Sequence, residues 1–401
     1  MATTLKTTTT TRAEGVLAMP PQRILMAPGP SNLHPRVIQA LIAPLTGHKD
    51  PAFLAVMDET AALLRDVFQT RNRATFALPA TGGSGMEACL VNLLEPGDTV
   101  VFGRAGFFAE RWSSIAGRLN LRTVTVDARW GQPVPLDQLV DAVRSHRPRL
   151  VCVVHGETST GVEQPLDGLA AACHTHDALL AVDAVASLGG TALPVDALEL
   201  DVCYSGSQKC LSAPPGLGPI TLSERATRAI AGRRTPVGSW YFDLDLHARF
   251  WDTEHIYHHT APVLNVYALR EALRIICEEG LDERLARHAR HAQALRAGLE
   301  ALGLRLFAEP QHRLVPVTTV LAPPGVSAAA VREVLLEEFN LEISGGLGEY
   351  ADRMWRIGIM GHSAQQANVM LLLAALEHAL ARQGWQAERS GTAAAEAVYR
   401  A

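Results

Sequence analysis

The chain has 401 residues, of which 48% are hydrophobic and 19% are charged, and its formal net charge at pH 7 is -5. This length allows two domains with a substantial core. The slightly acidic balance argues against nucleic-acid binding through a strongly basic face. No apolar run reaches the roughly 20 residues that a membrane-spanning helix needs, so we expect no membrane segment.

Residues 1–30 are interpreted as an arm that precedes the first domain. The stretch from Met1 to Gly15 is rich in threonine and lacks the continuous apolar core of a secretory signal. Its only basic residues are Lys6 and Arg12, which makes it a weak transit peptide as well. These features predict a flexible arm and a cytoplasmic protein. The 6 cysteines show no C-x-x-C spacing, which predicts reduced thiols rather than disulfides or zinc ligands.

Short apolar runs alternate with amphipathic stretches in the next part of the chain. The alternation predicts βαβ units, and therefore an α/β domain with a mostly parallel seven-stranded sheet and helices on both faces. We assign this large domain to residues 31–280. The predicted strands are residues 74–78, 99–102, 122–126, 150–154, 179–182, 202–204 and 218–222. The predicted helices in and before this region are residues 35–43, 52–69, 86–94, 107–119, 136–147 and 166–176.

The C-terminal third has a different pattern. Helical spacing runs over residues 262–304 and is broken at Gly280. A small C-terminal α+β domain, residues 281–385, and a tail, residues 386–401, complete the prediction. The Ala/Glu-rich tail is expected to be poorly ordered. The elements predicted in the small domain are strands at 315–321, 342–344 and 354–359 and helices at 328–339 and 364–381.

Lys209 is the first candidate catalytic residue. The chain has 36 lysines and arginines, but only Lys6, Lys49 and Lys209 are lysines. Arginine stays protonated near neutral pH and cannot form an imine, whereas lysine can once burial or a nearby charge lowers its pKa. Lys209 follows a strand-like run and precedes a turn with two prolines and a glycine. A surface lysine fits this setting poorly, so we interpret Lys209 as a Schiff-base lysine.

A glycine-rich loop, residues 81–85, follows a predicted strand and opens a predicted helix. Free backbone N–H groups and the helix dipole favour an anion at such a place, and Gly82 and Gly83 allow a phosphate to approach closely. The loop also fits a dinucleotide-binding pattern, but the next strand ends in Gly103-Arg104 without the acid that would bind a ribose. We prefer a monophosphate site, with a tight structural turn as the alternative.

Polar residues also follow other predicted strands, at the edge where open α/β sheets bind ligands. Asp183 ends a buried strand and needs a partner, which could be the protonated nitrogen of a pyridine ring; a turn aspartate is the alternative. Thr158 lies in a polar loop, Gln208 precedes the lysine, and the Phe108 ring could stack on a cofactor or pack in the core.

Arg356 lies among apolar neighbours on a predicted strand and must therefore find an anion. Its fork geometry suits a substrate carboxylate, and an internal salt bridge is the alternative.

Adjacent histidines on an extended chain point in opposite directions, so His258 and His259 should not share a metal. His288 and His291 are expected on a solvated helix face. We predict no metal site.

Taken together, these motifs resemble those of the class V aminotransferases, and most closely the alanine–glyoxylate / serine–pyruvate aminotransferase family. The resemblance covers residues 24–381. The most specific stretches, apart from the glycine loop, are residues 28–33, 94–98, 161–168, 182–190, 204–209, 257–260 and 345–348.

The resemblance implies fold type I of the pyridoxal-phosphate enzymes and pyridoxal 5'-phosphate as cofactor. It implies that Lys209 bonds the cofactor and shuttles protons, that Asp183 pairs with the pyridine nitrogen, and that Arg356 binds the substrate carboxylate. Small amino acids such as alanine or serine would donate their amino group to glyoxylate or pyruvate. The remaining cofactor contacts implied are Thr81, Gly82, Gly83, Phe108, Thr158, Val185, Gln208, Tyr257 and Thr260.

Tyr257 and Thr260 resemble the pair that reaches the cofactor phosphate of the other subunit, which implies a homodimer with shared active sites. Phe108 stands where the animal enzymes have tryptophan, and His48 resembles a residue of serine–glyoxylate relatives, so serine stays open as the donor. Three other functions were weighed. A cysteine desulfurase needs a nucleophilic cysteine in a late loop, but the last cysteine of this chain, Cys277, falls in a predicted helix. A nucleotide-dependent dehydrogenase would leave Lys209 unexplained. A non-enzymatic ligand-binding protein would not need Lys209.

Overall fold

The computed structural model describes residues 20–401. The threonine-rich stretch that predicts a flexible arm and a cytoplasmic location lies outside these described residues. Within them, no helix combines the length and the apolar character that crossing a membrane requires.

The strands are β1 Ile24–Leu25, β2 Ala74–Leu78, β3 Thr99–Arg104, β4 Arg122–Asp127, β5 Leu150–Val154, β6 Gly156–Glu157, β7 Val162–Glu163, β8 Leu179–Asp183, β9 Val202–Tyr204, β10 Gly218–Leu222, β11 Val317–Leu321, β12 Leu341–Glu342, β13 Ser344–Gly345 and β14 Met354–Gly358.

Thirteen α-helices lie between and after these strands in the described residues. They are α1 Pro35–Leu41, α2 Pro51–Phe68, α3 Gly82–Leu93, α4 Phe107–Ala116, α5 Leu136–His146, α6 Leu169–Thr175, α7 Glu224–Ala231, α8 Leu244–Trp251, α9 Val263–Glu279, α10 Leu281–Ala301, α11 Ala328–Phe339, α12 Gln366–Ala381 and α13 Gly391–Arg400. Short 3₁₀ turns lie at Pro310–His312, Gly348–Tyr350 and Gly361–Ser363.

The seven predicted strands form one sheet, in the order β2-β10-β9-β8-β5-β3-β4. All neighbouring pairs are parallel except those made by β10, which is antiparallel to β2 and β9. The central strands β5 and β8 are buried along their whole length because helices cover both faces. The mostly parallel seven-stranded sheet is therefore confirmed.

A second hydrophobic core lies in the C-terminal part, where α10, α11 and α12 pack against the antiparallel sheet β11-β14-β13. The N-terminal strand β1 pairs in parallel with β12 in this part. The predicted α+β pattern is thus present, whereas the predicted domain boundaries stay predictions.

The C-terminal tail differs from the expectation of poor order. Residues Gly391–Arg400 form α13, and Ser390 caps this helix by accepting a hydrogen bond from the Ala393 N–H. The Tyr399 hydroxyl is 2.8 Å from Nδ1 of His291 on α10. The composition of the tail did not indicate this amphipathic helix, because its apolar side chains are few and the helix is stabilised by packing against α10.

Close packing between α3 and β9 generates a stability prediction. A Cβ atom on Gly85 would lie 2.3 Å from Cδ2 of Tyr204, a fully buried ring. Alanine favours a helix over glycine by up to about 1 kcal/mol, but overpacking costs typically 1–3 kcal/mol. We therefore expect Gly85→Ala to lower the free energy of unfolding, measured by urea denaturation. Gly238→Ala, where a Cβ meets no atom within 4 Å, is the control. Equal stability of the two variants would contradict the prediction.

Candidate active site

The candidate active site lies where β5, β8 and β9 end. In the sheet register, Val154 is paired with Asp183, and Asp183 with Tyr204. The carboxyl ends of these parallel strands therefore lie side by side. The loops that follow them open on the same edge, which is where open α/β sheets bind ligands.

Lys209 is half-buried between this edge and the N-terminal segment. Its Nζ donates a hydrogen bond to the Pro28 carbonyl. Gly29 packs directly on the lysine, since a Cβ at this residue would lie 2.5 Å from Lys209 Cδ. Burial, and secondly the charge of Arg356, lower the pKa of Lys209 from 10.5 to about 8. A larger fraction of this amine is therefore neutral near pH 7 than for an exposed lysine, and the neutral form is the nucleophile.

Asp183 is held at the end of β8 by two hydrogen bonds. One carboxylate oxygen accepts from the Val185 N–H at 2.8 Å, and the other from the Tyr204 hydroxyl at 2.8 Å. Burial raises the pKa of Asp183 to about 6, although these two hydrogen bonds oppose the shift. A buried carboxylate of this kind is stabilised by a cationic N–H partner.

The glycine loop forms the first turn of α3. Thr81 is the N-cap residue, and its side chain makes no capping hydrogen bond. A Cβ on Gly82 would lie 2.5 Å from Cγ2 of Val185, so only glycine lets the loop approach so closely. The first N–H groups of a helix have no intrahelical partner, and together with the helix dipole they favour an anion such as phosphate.

Helix α4 brings Phe108 and Arg111 to the same cavity. The Arg111 guanidinium lies 5.2 Å from the centre of the Phe108 ring. The helix start is fixed by the buried Glu157, whose carboxylate accepts hydrogen bonds from the N–H groups of Phe108 and Ala109, both at 3.1 Å. Burial raises the pKa of Glu157, and these hydrogen bonds oppose the shift.

Arg356 approaches the site from β14. Its Nε donates to the Gly345 carbonyl at 2.7 Å and its Nη1 to the Thr158 carbonyl at 3.4 Å. Within residues 20–401 it forms no ion pair with a carboxylate, so the internal salt bridge considered above is absent there. Burial lowers the pKa of Arg356 to about 10. A guanidinium in this position can bind a carboxylate ligand.

Most of the predicted site residues line a single cavity. Its walls include Thr81, Gly82, Gly83, Phe108, Thr158, Asp183, Val185, Gln208 and Lys209. Arg356 lies behind this wall, near enough for its charge to lower the pKa of Lys209. Tyr257 and Thr260 are not part of the wall, and both are exposed.

Sequence reasoning missed Arg111 and Met86 as further lining residues. A signal for Arg111 was present, because a residue three positions after Phe108 lies on the same face of a helix. Met86 continues the glycine loop by one helical turn. No sequence signal distinguished its site-facing side chain from an ordinary core methionine.

Two predictions about histidines were wrong: that His258 and His259 point in opposite directions, and that His288 and His291 lie on a solvated helix face. The chain bends at His259, so the His258 and His259 rings converge, and their Nδ1 atoms are 2.9 Å apart. His288 is fully buried instead of solvated, and its Nε2 accepts a hydrogen bond from the Gly361 N–H at 2.9 Å. His291 is also buried, because α10 is covered on this side by α13.

All 6 cysteines are free thiols, and Cys277 alone is exposed.

Comparison with known proteins decides the family. A family model described as aminotransferase class-V matches residues 25–365. The chain belongs to the class-V aminotransferases. The resemblance seen in the sequence is thereby confirmed, and so is the expectation of an enzyme that transfers amino groups.

Two relatives of this class-V aminotransferase illustrate the range of activities around it. The (S)-ureidoglycine–glyoxylate transaminase of Bacillus subtilis (strain 168) is 39% identical over 380 residues, covering 90% of this chain and 91% of the relative. The alanine–glyoxylate aminotransferase of Oryctolagus cuniculus is 41% identical over 364 residues, covering 90% and 93% respectively.

Solved structures agree with this assignment. The alanine–glyoxylate aminotransferase of Nostoc sp. has a TM-score of 0.90 and 46% identity, with 92% of this chain and 97% of that chain covered. The ureidoglycine–glyoxylate aminotransferase of Bacillus subtilis has a TM-score of 0.94 and 39% identity, with coverage of 96% and 100%. These likenesses confirm the predicted fold type I of the pyridoxal-phosphate enzymes.

The burial of Lys209 generates a pH prediction. Between its folded pKa of about 8 and its ordinary 10.5, the unfolded chain holds a proton that the folded chain has released. The free energy of unfolding must therefore rise with pH through this window. Relative to Lys209→Met, the cofactor-free wild type should gain roughly 2–3 kcal/mol between about pH 7.5 and about pH 10.5.

Urea denaturation of both proteins at each pH measures this gain, and other titrating groups cancel in the difference. Lys49→Met, which removes an exposed lysine, is the matched control and should show no such gain. A difference for Lys209→Met that does not change with pH would contradict a buried amine.

Proposed function

We propose that this aminotransferase uses pyridoxal 5'-phosphate to move the amino group of a small amino acid to glyoxylate or pyruvate, with alanine as the preferred donor. The observation that carries the proposal is the single cavity lined by Lys209, Asp183 and the first turn of α3. Glyoxylate as acceptor is supported by the names of the relatives in Bacillus subtilis and Oryctolagus cuniculus.

The residues around the cavity fit this cofactor. The phosphate would lie at the N-terminus of α3, where Gly82 leaves no space for a side chain. The Gln208 side chain reaches the same region, and its buried amide oxygen has no hydrogen-bond partner. Asp183 would face the ring nitrogen, and Phe108 and Val185 would contact the ring.

When bound, pyridoxal phosphate supplies an electron sink that stabilises negative charge at the substrate α-carbon. Arg356 would hold the substrate carboxylate with two parallel N–H···O bonds and so orient the α-hydrogen. Lys209 would act as a neutral amine that removes the α-proton and as an ammonium that returns it. Asp183 would keep a proton on the ring nitrogen, with its own position fixed by Tyr204 and Val185.

The amino donor has two further candidates. (S)-Ureidoglycine is favoured by the 39% identity to the transaminase of Bacillus subtilis that carries this donor in its name. Serine is supported by His48, which resembles a residue of serine–glyoxylate relatives. Alanine stays the first choice because of the 46% identity to the enzyme of Nostoc sp..

The proposed role of Lys209 is tested by chemical trapping and turnover. Wild-type protein with pyridoxal phosphate should show a visible absorption band that L-alanine removes, and borohydride should fix the cofactor to the peptide that contains Lys209. Lys209→Ala should lose at least about 10³-fold in transamination rate, because it loses both nucleophile and proton carrier.

Lys6→Ala is the control and should behave as wild type in the trapping and rate measurements. Normal turnover of Lys209→Ala, or labelling at another lysine, would overturn the proposal. Repeating the band measurement with L-alanine, L-serine and (S)-ureidoglycine ranks the donors.

We further propose that the enzyme is a homodimer with shared active sites. Tyr257 and Thr260 are exposed and do not line the cavity of their own chain, and their hydroxyl groups are 3.4 Å apart. Several large apolar side chains are also exposed. They include Ile42 at 79%, Leu45 at 70%, Trp240 at 64%, Ile256 at 48% and Tyr241 at 40%. Exposed apolar groups of this size are typical of a protein–protein interface.

Mixing two inactive variants tests the shared site. In a mixed dimer of Lys209→Ala with a Tyr257→Ala/Thr260→Ala double variant, one site would combine Lys209 from one chain with Tyr257 and Thr260 from the other. The co-expressed mixture should therefore recover activity above that of either parent, up to about a quarter of the wild-type rate, because half of randomly formed dimers are mixed and each mixed dimer has one intact site of two. If Tyr257 and Thr260 served their own chain, no mixed dimer would contain an intact site and activity would not recover.

A further inference from the structure

Three buried histidines form a cluster outside the candidate active site. His247 lies on α8, and His258 and His259 lie at the bend before α9. His247 is fully buried, and the other two are exposed by only 5% and 7%. One nitrogen from each ring can be chosen so that all three lie within 4.8 Å of one another. Such convergence of three imidazoles is unusual for a core that is otherwise aromatic and aliphatic.

The hydrogen bonds of the outer ring nitrogens orient two of these imidazoles. Nε2 of His247 is 2.7 Å from the Tyr241 carbonyl, and Nε2 of His258 is 3.2 Å from the Trp240 carbonyl. A carbonyl only accepts hydrogen bonds, so both Nε2 atoms carry the proton and both Nδ1 atoms present a lone pair. A ring N–H held by a backbone carbonyl is the usual outer contact of a histidine that binds a metal.

The Nδ1 atoms of the three rings do not all have a hydrogen-bond partner. Nδ1 of His258 is 2.9 Å from Nδ1 of His259, which donates to it when the His259 proton is on Nδ1 and presents a lone pair when that proton is on Nε2, as metal binding through Nδ1 would require. Nδ1 of His247 is buried and has no hydrogen-bond partner. An unpaired buried acceptor is costly, and a cation bound at this point would satisfy it.

We propose that His247, His258 and His259 bind a divalent transition-metal ion, for which Zn²⁺ is the best fit. Three imidazole nitrogens with a fourth, water position are an established zinc geometry, with Zn–N bonds of about 2.0–2.1 Å and therefore N···N separations of about 3.3 Å. The nitrogens of the cluster lie within 4.8 Å of one another, so the rings would have to shift to reach that separation. Imidazole ligands without a thiolate also suit copper and nickel, whereas calcium and magnesium prefer oxygen.

The cluster lies in an apolar environment. The neighbours are aromatic, with Phe76 stacked 6.0 Å from the His247 ring and Phe250 4.9 Å from the His259 ring. No carboxylate or thiol of residues 20–401 joins the cluster, so water would complete the coordination.

The position of the cluster indicates a structural role. The metal would tie α8 to the segment Tyr257–Thr260, whose two end residues flank the histidine pair. That segment would then be held in the conformation that reaches the other subunit. This consequence rests on the proposed dimer, whereas the metal site itself does not.

Metal binding is tested on the purified full-length protein, stripped with a chelator and then exposed to Zn²⁺ or Co²⁺. After desalting, the wild type should retain about one ion per chain. The Co²⁺ form should show the visible spectrum of a four-coordinate nitrogen site. The melting temperature should rise with Zn²⁺, because the ion binds the folded chain preferentially.

The variants His247→Gln and His259→Gln should each lose the retained ion and the thermal shift. His146→Gln, which removes an exposed histidine, is the matched control and should keep both. Retention below about a tenth of an ion per wild-type chain, or equal retention by the cluster variants and wild type, would overturn the proposal. If one cluster variant fails to fold, judged by circular dichroism, the wild-type measurement and the other variant decide. Transamination does not enter this readout, so it fails or succeeds independently of the proposed function.

Discussion

The alignment of three neighbouring strand ends is the constraint on which the site depends. Because β5, β8 and β9 are paired in parallel, Val154, Asp183 and Tyr204 lie side by side. The Tyr204–Asp183 hydrogen bond then links two of the strands across the mouth of the sheet. The segments that follow β5, β8 and β9 contribute Thr158, Val185 and Lys209, so a shift of one strand by one residue would misplace these side chains. The close contact of Gly85 with Tyr204 stabilises the same alignment from α3.

The site contains two cations that form no ion pair with a carboxylate within residues 20–401. Lys209 and Arg356 are both half-buried, and their hydrogen-bond partners are backbone carbonyls. Leaving cations in such a place costs folding free energy, and each lowers the stability of the other's charged form. Anionic ligands, namely a phosphate at the N-terminus of α3 and a carboxylate at Arg356, would remove this cost and so stabilise the folded chain.

The segment from Trp240 to Thr260 does not line the cavity, and it combines two features. Its surface side presents exposed aromatic and hydroxyl groups, with Tyr257 among them, and its inner side holds the histidine cluster. A surface of this composition is stabilised by contact with another protein chain. The inner side determines its shape, because His247 and His258 are oriented through backbone carbonyls of Tyr241 and Trp240. The two proposals thus concern opposite sides of the same segment.

The sequence by itself determined the seven-stranded sheet, the residues of the glycine loop, Asp183 and Lys209. It could do so because burial on both faces demands continuous apolar runs, and because chemistry at strand ends needs particular residue types. Only the tertiary structure decided that Arg111 faces the cavity, that His258 and His259 converge, and that the tail forms a helix. These features depend on which surfaces meet and where the chain bends, and neither periodicity nor residue type records such long-range contacts.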